Sequence, residues 1–136
     1  MNNFANTISL KVFIFALLVA FCTKLSAQDD VISSAKTAIK ANNSKELSKY
    51  FNEMIDLGFD GEKGSYSKTQ AEFVIKDFFS RNPVTDFQFV HKGASKEGLT
   101  YTIGNYQSKS KEYRVLIYVK EIKGSYKIDY LDFSKE

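Results

Sequence analysis

The hydrophobic pattern of the chain begins with an uncharged apolar run of eleven residues, which extends from Val12 to Cys22. Lys11 precedes this run, and the small residues Ser26 and Ala27 follow it. A basic residue, a short apolar core and a small-residue end are typical of a secretory signal peptide. The run is too short to cross a bilayer as a helix, which takes about 20 residues. We therefore expect residues 1–27 to be a cleaved signal and the protein to be periplasmic or extracellular.

Two processing routes fit this segment. Cleavage after Ala27 places a small residue before the cut, although Leu25 departs from the usual A-x-A pattern. The rival is lipoprotein processing at Cys22, which would anchor the protein to a membrane. A lipobox, however, has a small residue where this chain has Phe21. We expect cleavage after Ala27 and a soluble protein that begins at Gln28.

Helical periodicity follows the signal. Apolar residues recur at helical spacing from Asp30 to about Lys40, and Asp29 or Asp30 can cap the start of this helix. Residues 42–44 interrupt the pattern, and Ser44 can cap a second, short helix. The apolar positions of this helical hairpin are Val31, Ile32, Ala35, Ala38, Ile39, Leu47, Tyr50 and Phe51.

The next segment alternates between apolar and polar residues. Residues 54–60 place Ile55, Leu57 and Phe59 on one face, which is typical of a strand. Residues 61–64 contain two glycines and predict a turn.

A third helix is marked at both ends. Ser67 and Gln70 have the spacing of a capping box, in which each side chain accepts a hydrogen bond from a free backbone N–H. Asn82 and Pro83 end the helix, because proline disfavours helical geometry in the residue before it. The apolar stripe between these ends consists of Ala71, Val74, Ile75, Phe78 and Phe79.

The rest of the chain predicts strands joined by short turns. In the last strand the apolar parity changes near Asp129 and Tyr130, which indicates a bulge. Short turns favour an antiparallel meander, and the element order predicts an α+β fold with helices on one face of a curved sheet. The four predicted strands are 84–92, 99–106, 112–122 and 126–133, and the turns are 93–98, 107–111 and 123–125.

Composition narrows the possible functions of this single domain. Residues 28–136 make 109 of the 136 residues, enough for one core without disulfides. Cys22 is the only cysteine and lies in the signal, which excludes thiol chemistry from the mature chain. The signal holds two of the 19 basic residues and none of the 16 acidic ones, so the mature net charge is +1. This charge does not favour nucleic acid.

Several segments resemble a known family. They are KELSKYFNEMIDLGFDGEKGSYSKTQAEFVIKDFF, then FVHKGASKEG, and the terminal KGSYKIDYLDF, of which YFNE and SYSKTQAE are the most specific parts. They are similar to a family of small secreted bacterial proteins of unknown function. The resemblance covers nearly all of the mature chain and implies the cone-shaped nuclear-transport-factor-like fold, also called cystatin-like. It implies no activity, because that fold carries many functions.

The single histidine is the first candidate for a binding site. His91 continues the face of Phe87 and Phe89, and pairing of Phe89 with Tyr101 would place His91 opposite Leu99. His91 and Tyr101 would then be diagonal neighbours and could form the polar floor of a ligand pocket in the cone. A half-exposed histidine that only packs at a strand end fits the same pattern.

The acidic residues give less evidence for a functional site. Asp56 and Asp60 are predicted on the solvent face of their strand, and only a one-residue shift of register would turn them inward. One histidine, no mature cysteine and no HExxH or calcium-loop spacing leave no basis for a metal or other cofactor.

The segment YRVLIYVKEI is apolar on both faces. Tyr113, Val115, Ile117 and Val119 form the face expected to pack on the helices. On the other face Leu116, Tyr118 and Ile122 also need cover, which a second copy could provide in a two-fold dimer. Alternatively, the stems of Arg114 and Lys120 cover these residues in a monomer.

These patterns predict a secreted, non-catalytic domain that binds a small apolar ligand or a protein partner through the cone mouth or the outer sheet face. The alternative is a small lyase or isomerase that uses His91 and Tyr101 as acid and base. The two hypotheses differ in one observable feature: an enzyme needs an enclosed pocket of about 300 Å³ or more with His91 in its wall.

Overall fold

The computed structural model describes residues 3–95 and 99–136, with the side chains of 7–18, 27–95 and 99–136. The tip of the predicted turn at 96–98 lies outside these ranges, as do the side chains of Phe21, Cys22 and Leu25, on which the processing alternatives depend. The chain forms two compact units, Met1–Asp30 and Val31–Glu136.

The first helix, α1, extends from Asn3 to Lys40. Its end agrees with the predicted one, but the predicted start at Asp30 is wrong. Asp29 and Asp30 lie inside the helix and therefore do not cap it. No glycine or proline precedes Gly58 in the sequence, so nothing in the composition of this segment ends or breaks a helix.

The two units use α1 differently. In the first unit eight apolar side chains between Ile8 and Leu18 are 51–71% exposed. In the second unit the helix buries Ile32, Ala35, Ala38 and Ile39 in the hydrophobic core. Over the ranges described, no helix combines the length and the apolar character needed to cross a bilayer.

The second helix, α2, is the short segment Ser44–Ser48. Its cap is Asn43, whose side-chain oxygen accepts a hydrogen bond of 3.0 Å from the backbone N–H of Glu46. The predicted cap, Ser44, is instead the first helical residue and is buried. Phe51 was expected on this helix, but it begins the first strand and reaches the core from there.

Six strands form one sheet in the order β2-β1-β6-β5-β4-β3. Neighbouring strands are antiparallel except β1 and β6, which are parallel. The predicted antiparallel meander after Pro83 is therefore confirmed, and the parallel pair joins it to the strand before α3. The strands are β1 (Phe51–Phe59), β2 (Glu62–Ser67), β3 (Val84–Ala94), β4 (Thr100–Ser108), β5 (Glu112–Ile122) and β6 (Ser125–Lys135).

The strand β2 is absent from the sequence prediction. The predicted turn over 61–64 is wrong, because only Asp60 and Gly61 turn the chain, with φ of 52° and 87°. Residues 62–67 then pair with β1. This segment, EKGSYS, lies at the sheet edge, where one strand neighbour is missing and little apolar surface is buried. An alternating apolar pattern is therefore not required of it.

The third helix, α3 (Lys68–Arg81), confirms the predicted start and stripe. Ser67 Oγ accepts from the N–H of Gln70, and Gln70 Oε1 accepts from the N–H of Ser67, both at 3.2 Å. Asn82 caps the other end. The stripe residues Ala71, Ile75, Phe78 and Phe79 are buried, and Val74 is half-buried.

Aromatic rings fill the space between α3 and the sheet. The ring centre of Phe78 lies 4.4 Å from that of Phe133, 5.1 Å from Tyr113 and 5.7 Å from Tyr106. The hydroxyl of Tyr106 donates to the backbone oxygen of Asn82, and that of Tyr113 donates to Asn82 Oδ1 at 3.0 Å. Both buried phenols are thus satisfied within a closely packed layer.

The faces of β5 and β6 follow the predicted parity. Tyr113, Val115, Ile117 and Val119 are buried against the helices, as predicted. The bulge near Asp129 is also confirmed, because Tyr118 pairs with Tyr130 while the next residue, Val119, pairs with Ile128. The bulge leaves Tyr130 on the side of the sheet opposite the core, which we call the outer face.

Candidate functional site on the outer face of the sheet

Three tyrosines stand side by side on the outer face. Register pairs Tyr101 with Tyr118, and Tyr118 with Tyr130, so that the three rings cross β4, β5 and β6. Their ring centres are 6.3 Å and 5.3 Å apart. All three side chains are half-buried. We call Tyr101, Tyr118 and Tyr130 the tyrosine row.

The row continues onto the edge strands at both ends. His91 on β3 lies 5.8 Å from Tyr101 between ring centres, and its Nε2 is 3.4 Å from the Tyr101 hydroxyl. On β2, Lys63 Nζ lies 5.4 Å from the centre of the Tyr130 ring, a cation–π distance. A hydrogen bond to the Tyr130 hydroxyl raises the pKa of Lys63 above its ordinary value.

Glycine makes room for one ring of the row. Gly93 is the cross-strand partner of Tyr101, and a Cβ atom at Gly93 would collide with the tyrosine ring. The ring therefore lies over bare backbone, where a side chain would otherwise push it outward. This arrangement holds Tyr101 against the sheet and between its neighbours in the row.

The structure corrects the predicted pairing of His91. His91 lies opposite Ile103, and Gly93 lies opposite Tyr101, so the pairing of Phe89 with Tyr101 is wrong. The register shifts between Phe89 and His91, which leaves Val90 as a bulge. Because a bulge reverses the parity of the residues after it, His91 points away from the face of Phe87 and Phe89.

His91 and Tyr101 are nevertheless diagonal neighbours, as the sequence predicts. They meet on the outer face and not in the interior of the cone, and His91 is exposed. Their contact is therefore open to solvent. Binding of a ligand by this pair stays a prediction.

The three residues predicted as an interface occupy two places. Leu116 and Tyr118 are half-buried on the outer face, opposite Asp132 and Tyr130 of β6. Ile122 lies four residues farther along β5, and it lines a different cavity, with Phe51 and Lys127. The outer face thus keeps Leu116 and Tyr118 together but separates Ile122 from them.

A shallow cavity of about 310 Å³ lies at the lysine end of the tyrosine row. Its wall is formed by Asp56, Lys63, Gly64, Ser65 and Tyr130. The Asp56 side chain is exposed, and its Oδ1 accepts a hydrogen bond from the Ser65 hydroxyl. Asp56 therefore lies on the solvent side of β1, as predicted.

Asp132 brings a buried carboxylate to the same face. It is 8% exposed, lies over Gly58 on the neighbouring β1, and accepts a 2.6 Å hydrogen bond from the Ser134 hydroxyl. The other predicted surface acid, Asp60, sits in the β1–β2 turn and accepts from the N–H of Lys135. Within the described residues no three histidine, cysteine or acidic side chains are grouped as a metal site requires.

The sequence did not point to Lys63, Tyr130 or Asp132. Lys63 fell within a predicted turn, because the edge strand β2 has no apolar alternation. With the bulge at Asp129, as in the structure, Tyr130 and Asp132 lie on the same face of the sheet. A bulge after Tyr130 would put them on opposite faces. The signal that could have found Tyr130 and Asp132 is the parity change in β6.

Comparison with known proteins shows the family and the fold of this chain. The family described as Domain of unknown function (DUF4783) matches residues 32–134. A solved DUF4783 family protein from Bacteroides ovatus is 28% identical, with a TM-score of 0.71 over 76% of this chain and 93% of that one. No curated protein matches the sequence.

More distant structures show the fold alone. An NTF2-like protein of unknown function from Shewanella baltica is 10% identical, with a TM-score of 0.63 over 85% of this chain and 96% of that one. A domain of unknown function with a cystatin-like fold from Nostoc punctiforme is 12% identical, with a TM-score of 0.63 over 82% and 76%. The expected α+β fold, with helices and a curved sheet, is confirmed, and its sheet has six strands.

Proposed function

This chain belongs to the DUF4783 family, and from that premise we propose that it is an exported, non-catalytic interaction domain that binds a second copy of itself through the outer face. The observation that carries this proposal is the tyrosine row. Three half-buried aromatic rings lie in contact across three central strands, beside the half-buried Leu116.

The tyrosine row has the chemistry of a protein interface. Tyrosine is enriched in the energetically important centre of such interfaces, because it offers a large apolar surface and few rotatable bonds. Strands hold these rings more rigidly than a loop would, so little side-chain freedom is left to lose on binding. Leu116 adds aliphatic surface beside Tyr118. Such a patch gains free energy when a partner excludes water from it.

Charges around the row favour a second copy of the chain as the partner. Lys63 and Arg114 are exposed near it, and Asp56 is exposed on the same face. A two-fold axis brings the same patch of both copies together, so a face with both signs of charge can oppose unlike charges. A patch of one sign would repel its own copy.

The alternative enzyme hypothesis finds less support in this geometry. His91 is exposed, and it does not line the cavities of about 310, 370 and 310 Å³ whose walls consist of described residues. An acid–base pair gains from a site that excludes water, which an open sheet face does not provide. A small apolar ligand inside the cone would have to displace the rings packed around Phe78.

Export is the second part of the proposal. The apolar side chains between Ile8 and Leu18 are exposed, Ile32 is the first buried residue among the described side chains, and the family match also begins at residue 32. The boundary between the two compact units falls after Asp30. Cleavage after Ala27 would therefore remove exposed apolar surface and leave the buried core of the second unit complete.

N-terminal sequencing of the protein from its producing cells tests export. We expect a product that begins at Gln28, found outside the cytoplasm. A lipid-modified product that begins at Cys22 would support the membrane-anchored alternative. An unprocessed chain in the cytoplasm would contradict export.

Sedimentation of the protein with Tyr118→Glu tests self-association. A dimer would bury the new carboxylate without a partner, which costs several kcal/mol in the dimer and little in a monomer. We expect the wild type to sediment as a dimer and the variant as a folded monomer. Phe73→Glu is the matched control, because Phe73 is 62% exposed on α3 and lies away from the outer face.

Circular dichroism separates loss of association from loss of folding. A wild type that stays monomeric at high micromolar concentration would overturn self-association as the role of this face. A variant that dimerises as well as the wild type would overturn the placement of the interface at Tyr118.

A further inference from the structure

A second cavity, of about 370 Å³, lies where the start of β1, the start of α3 and the hairpin between β5 and β6 meet. This volume falls within the range of about 300–1,000 Å³ that is usual for small-molecule sites. Half-buried Ile122 supplies apolar surface, whereas Phe51 belongs to the hydrophobic core and is 1% exposed. The full wall consists of Phe51, Asn52, Glu53, Lys68, Ile122, Lys123, Ser125 and Lys127.

Positive charge is concentrated around this cavity. Three of its wall residues are lysines, and Lys127 is paired across the strands with a fourth, Lys120. Like charges directly opposite one another on paired strands destabilise a sheet. The wall holds one carboxylate, that of Glu53. Among the residues that the structure describes, the ion pairs join Lys49 to Glu46 and Arg81 to Asp77, and neither pair includes one of these four lysines.

The hairpin turn fixes the position of two of the lysines. Lys123 and Gly124 both have positive φ, of 51° and 80°, as the central residues of a tight two-residue turn do. This turn matches the twist of the flanking strands, so it holds Lys123 and Lys127 on a rigid hairpin. On the opposite wall, Lys68 Nζ lies 3.5 Å from the backbone oxygen of Lys49.

Lysines that form no ion pair with any described residue, held on rigid backbone beside apolar surface, are suited to an anion with an apolar part. We propose that this cavity binds a small organic phosphate or carboxylate. Lys123, Lys127 and Lys68 contact the anionic group, and Ile122 contacts the apolar part. The site is separate from the tyrosine row, and it does not depend on self-association.

Titration of isotope-labelled protein, expressed from the full-length sequence, tests this site. The probes are octyl phosphate, octanoate, inorganic phosphate and the neutral 1-octanol. We expect octyl phosphate or octanoate to shift the amide signals of Lys123, Ser125 and Lys127, and the stronger of the two identifies the anionic group. Inorganic phosphate should bind more weakly at the same residues, because it has no apolar part.

Paired variants separate this site from a general effect of charge. Lys123→Gln with Lys127→Gln should weaken binding about tenfold or more, because charge-assisted hydrogen bonds are lost. Lys109→Gln with Lys111→Gln changes the net charge equally at two exposed positions near the β4–β5 turn, and it should leave binding unchanged. Equal losses in both pairs would overturn the site, as would equally strong binding of 1-octanol or no shift with any probe.

Stability without ligand provides a second readout. Removing the repulsion between Lys120 and Lys127 should leave the thermal midpoint of the Lys123→Gln, Lys127→Gln variant unchanged or raised. A clearly lowered midpoint would show that these lysines stabilise the fold, and it would overturn their assignment to a ligand.

Discussion

Phe78 connects α3 to four strands through a single aromatic ring. The ring contacts Phe59 on β1, Tyr106 on β4, Tyr113 on β5 and Phe133 on β6. The side chain is 5% exposed. The helical spacing of the apolar stripe was enough to predict that Phe78 is buried. It could not predict the ring contacts, because these depend on which strands lie beside each other.

Replacement of Phe78 by alanine should destabilise the protein by about 3–5 kcal/mol, because it removes a buried ring and leaves a cavity. Chemical denaturation measures this loss. Phe73→Ala on the same helix is the matched control, since Phe73 is 62% exposed and its loss should change stability by about 0.5 kcal/mol or less. A loss below about 1 kcal/mol for Phe78→Ala would contradict the assignment of the core face of α3.

Tyr106 should make stability depend on pH in the alkaline range. Burial raises the pKa of the Tyr106 phenol well above its ordinary value. The unfolded chain therefore loses this proton first, so the contribution of Tyr106 to the free energy of unfolding should be constant up to about pH 10 and fall above it. One such group contributes a slope of about 1.4 kcal/mol per pH unit.

Denaturation across this pH range compares the wild type with Tyr106→Phe. The variant has no phenol at this position and should show a shallower fall. Equal slopes in the two proteins would contradict the burial of the Tyr106 phenol.

At the scale of elements, the start of a helix or strand could be predicted only where nearby side chains mark it. The capping box at Ser67 is a side-chain signal written in the sequence, and it was confirmed. The predicted start of α1 at Asp30 was wrong, because the helix begins before the aspartates and an aspartate can cap a helix only where it begins. β2 was not predicted, because an edge strand needs no apolar alternation.

The two bulges differ in whether the apolar pattern of the sequence shows them. In β6 the apolar residues change parity across Asp129, from Ile128 to Leu131, so the bulge leaves a trace in the sequence. In β3 no apolar residue of the core follows Phe89, so the bulge at Val90 leaves none. The face of His91 could therefore not be predicted from hydrophobic pattern.

Loss of the capping hydroxyl tests the start of α3. Ser67→Ala removes the acceptor for the N–H of Gln70 and should reduce the free energy of unfolding by about 0.5–2 kcal/mol. Thr69→Ala is the control, because Thr69 is exposed in the same first turn. Equal effects of the two substitutions on the denaturation midpoint would contradict a specific cap at Ser67.

At the scale of the whole molecule, the fold followed from element order, whereas the candidate site did not. Helices before and between strands, followed by a meander, predict a sheet with helices on one face, and that face is the core. The tyrosine row depends on register across β4, β5 and β6. That register depends on two turns and on the bulge at Asp129, and an error of one residue at any of them moves a ring to the other face.

The central claim is that the outer face of the sheet is where this protein meets a partner of its own kind. Amide chemical shifts of the labelled protein, recorded from low micromolar to near-millimolar concentration, test it most directly. Self-association should shift signals at Tyr101, Leu116, Tyr118 and Tyr130, and those of Ser33 and Thr37 on α1 should stay in place. Shifts confined to α1, or none at any concentration, would contradict the claim.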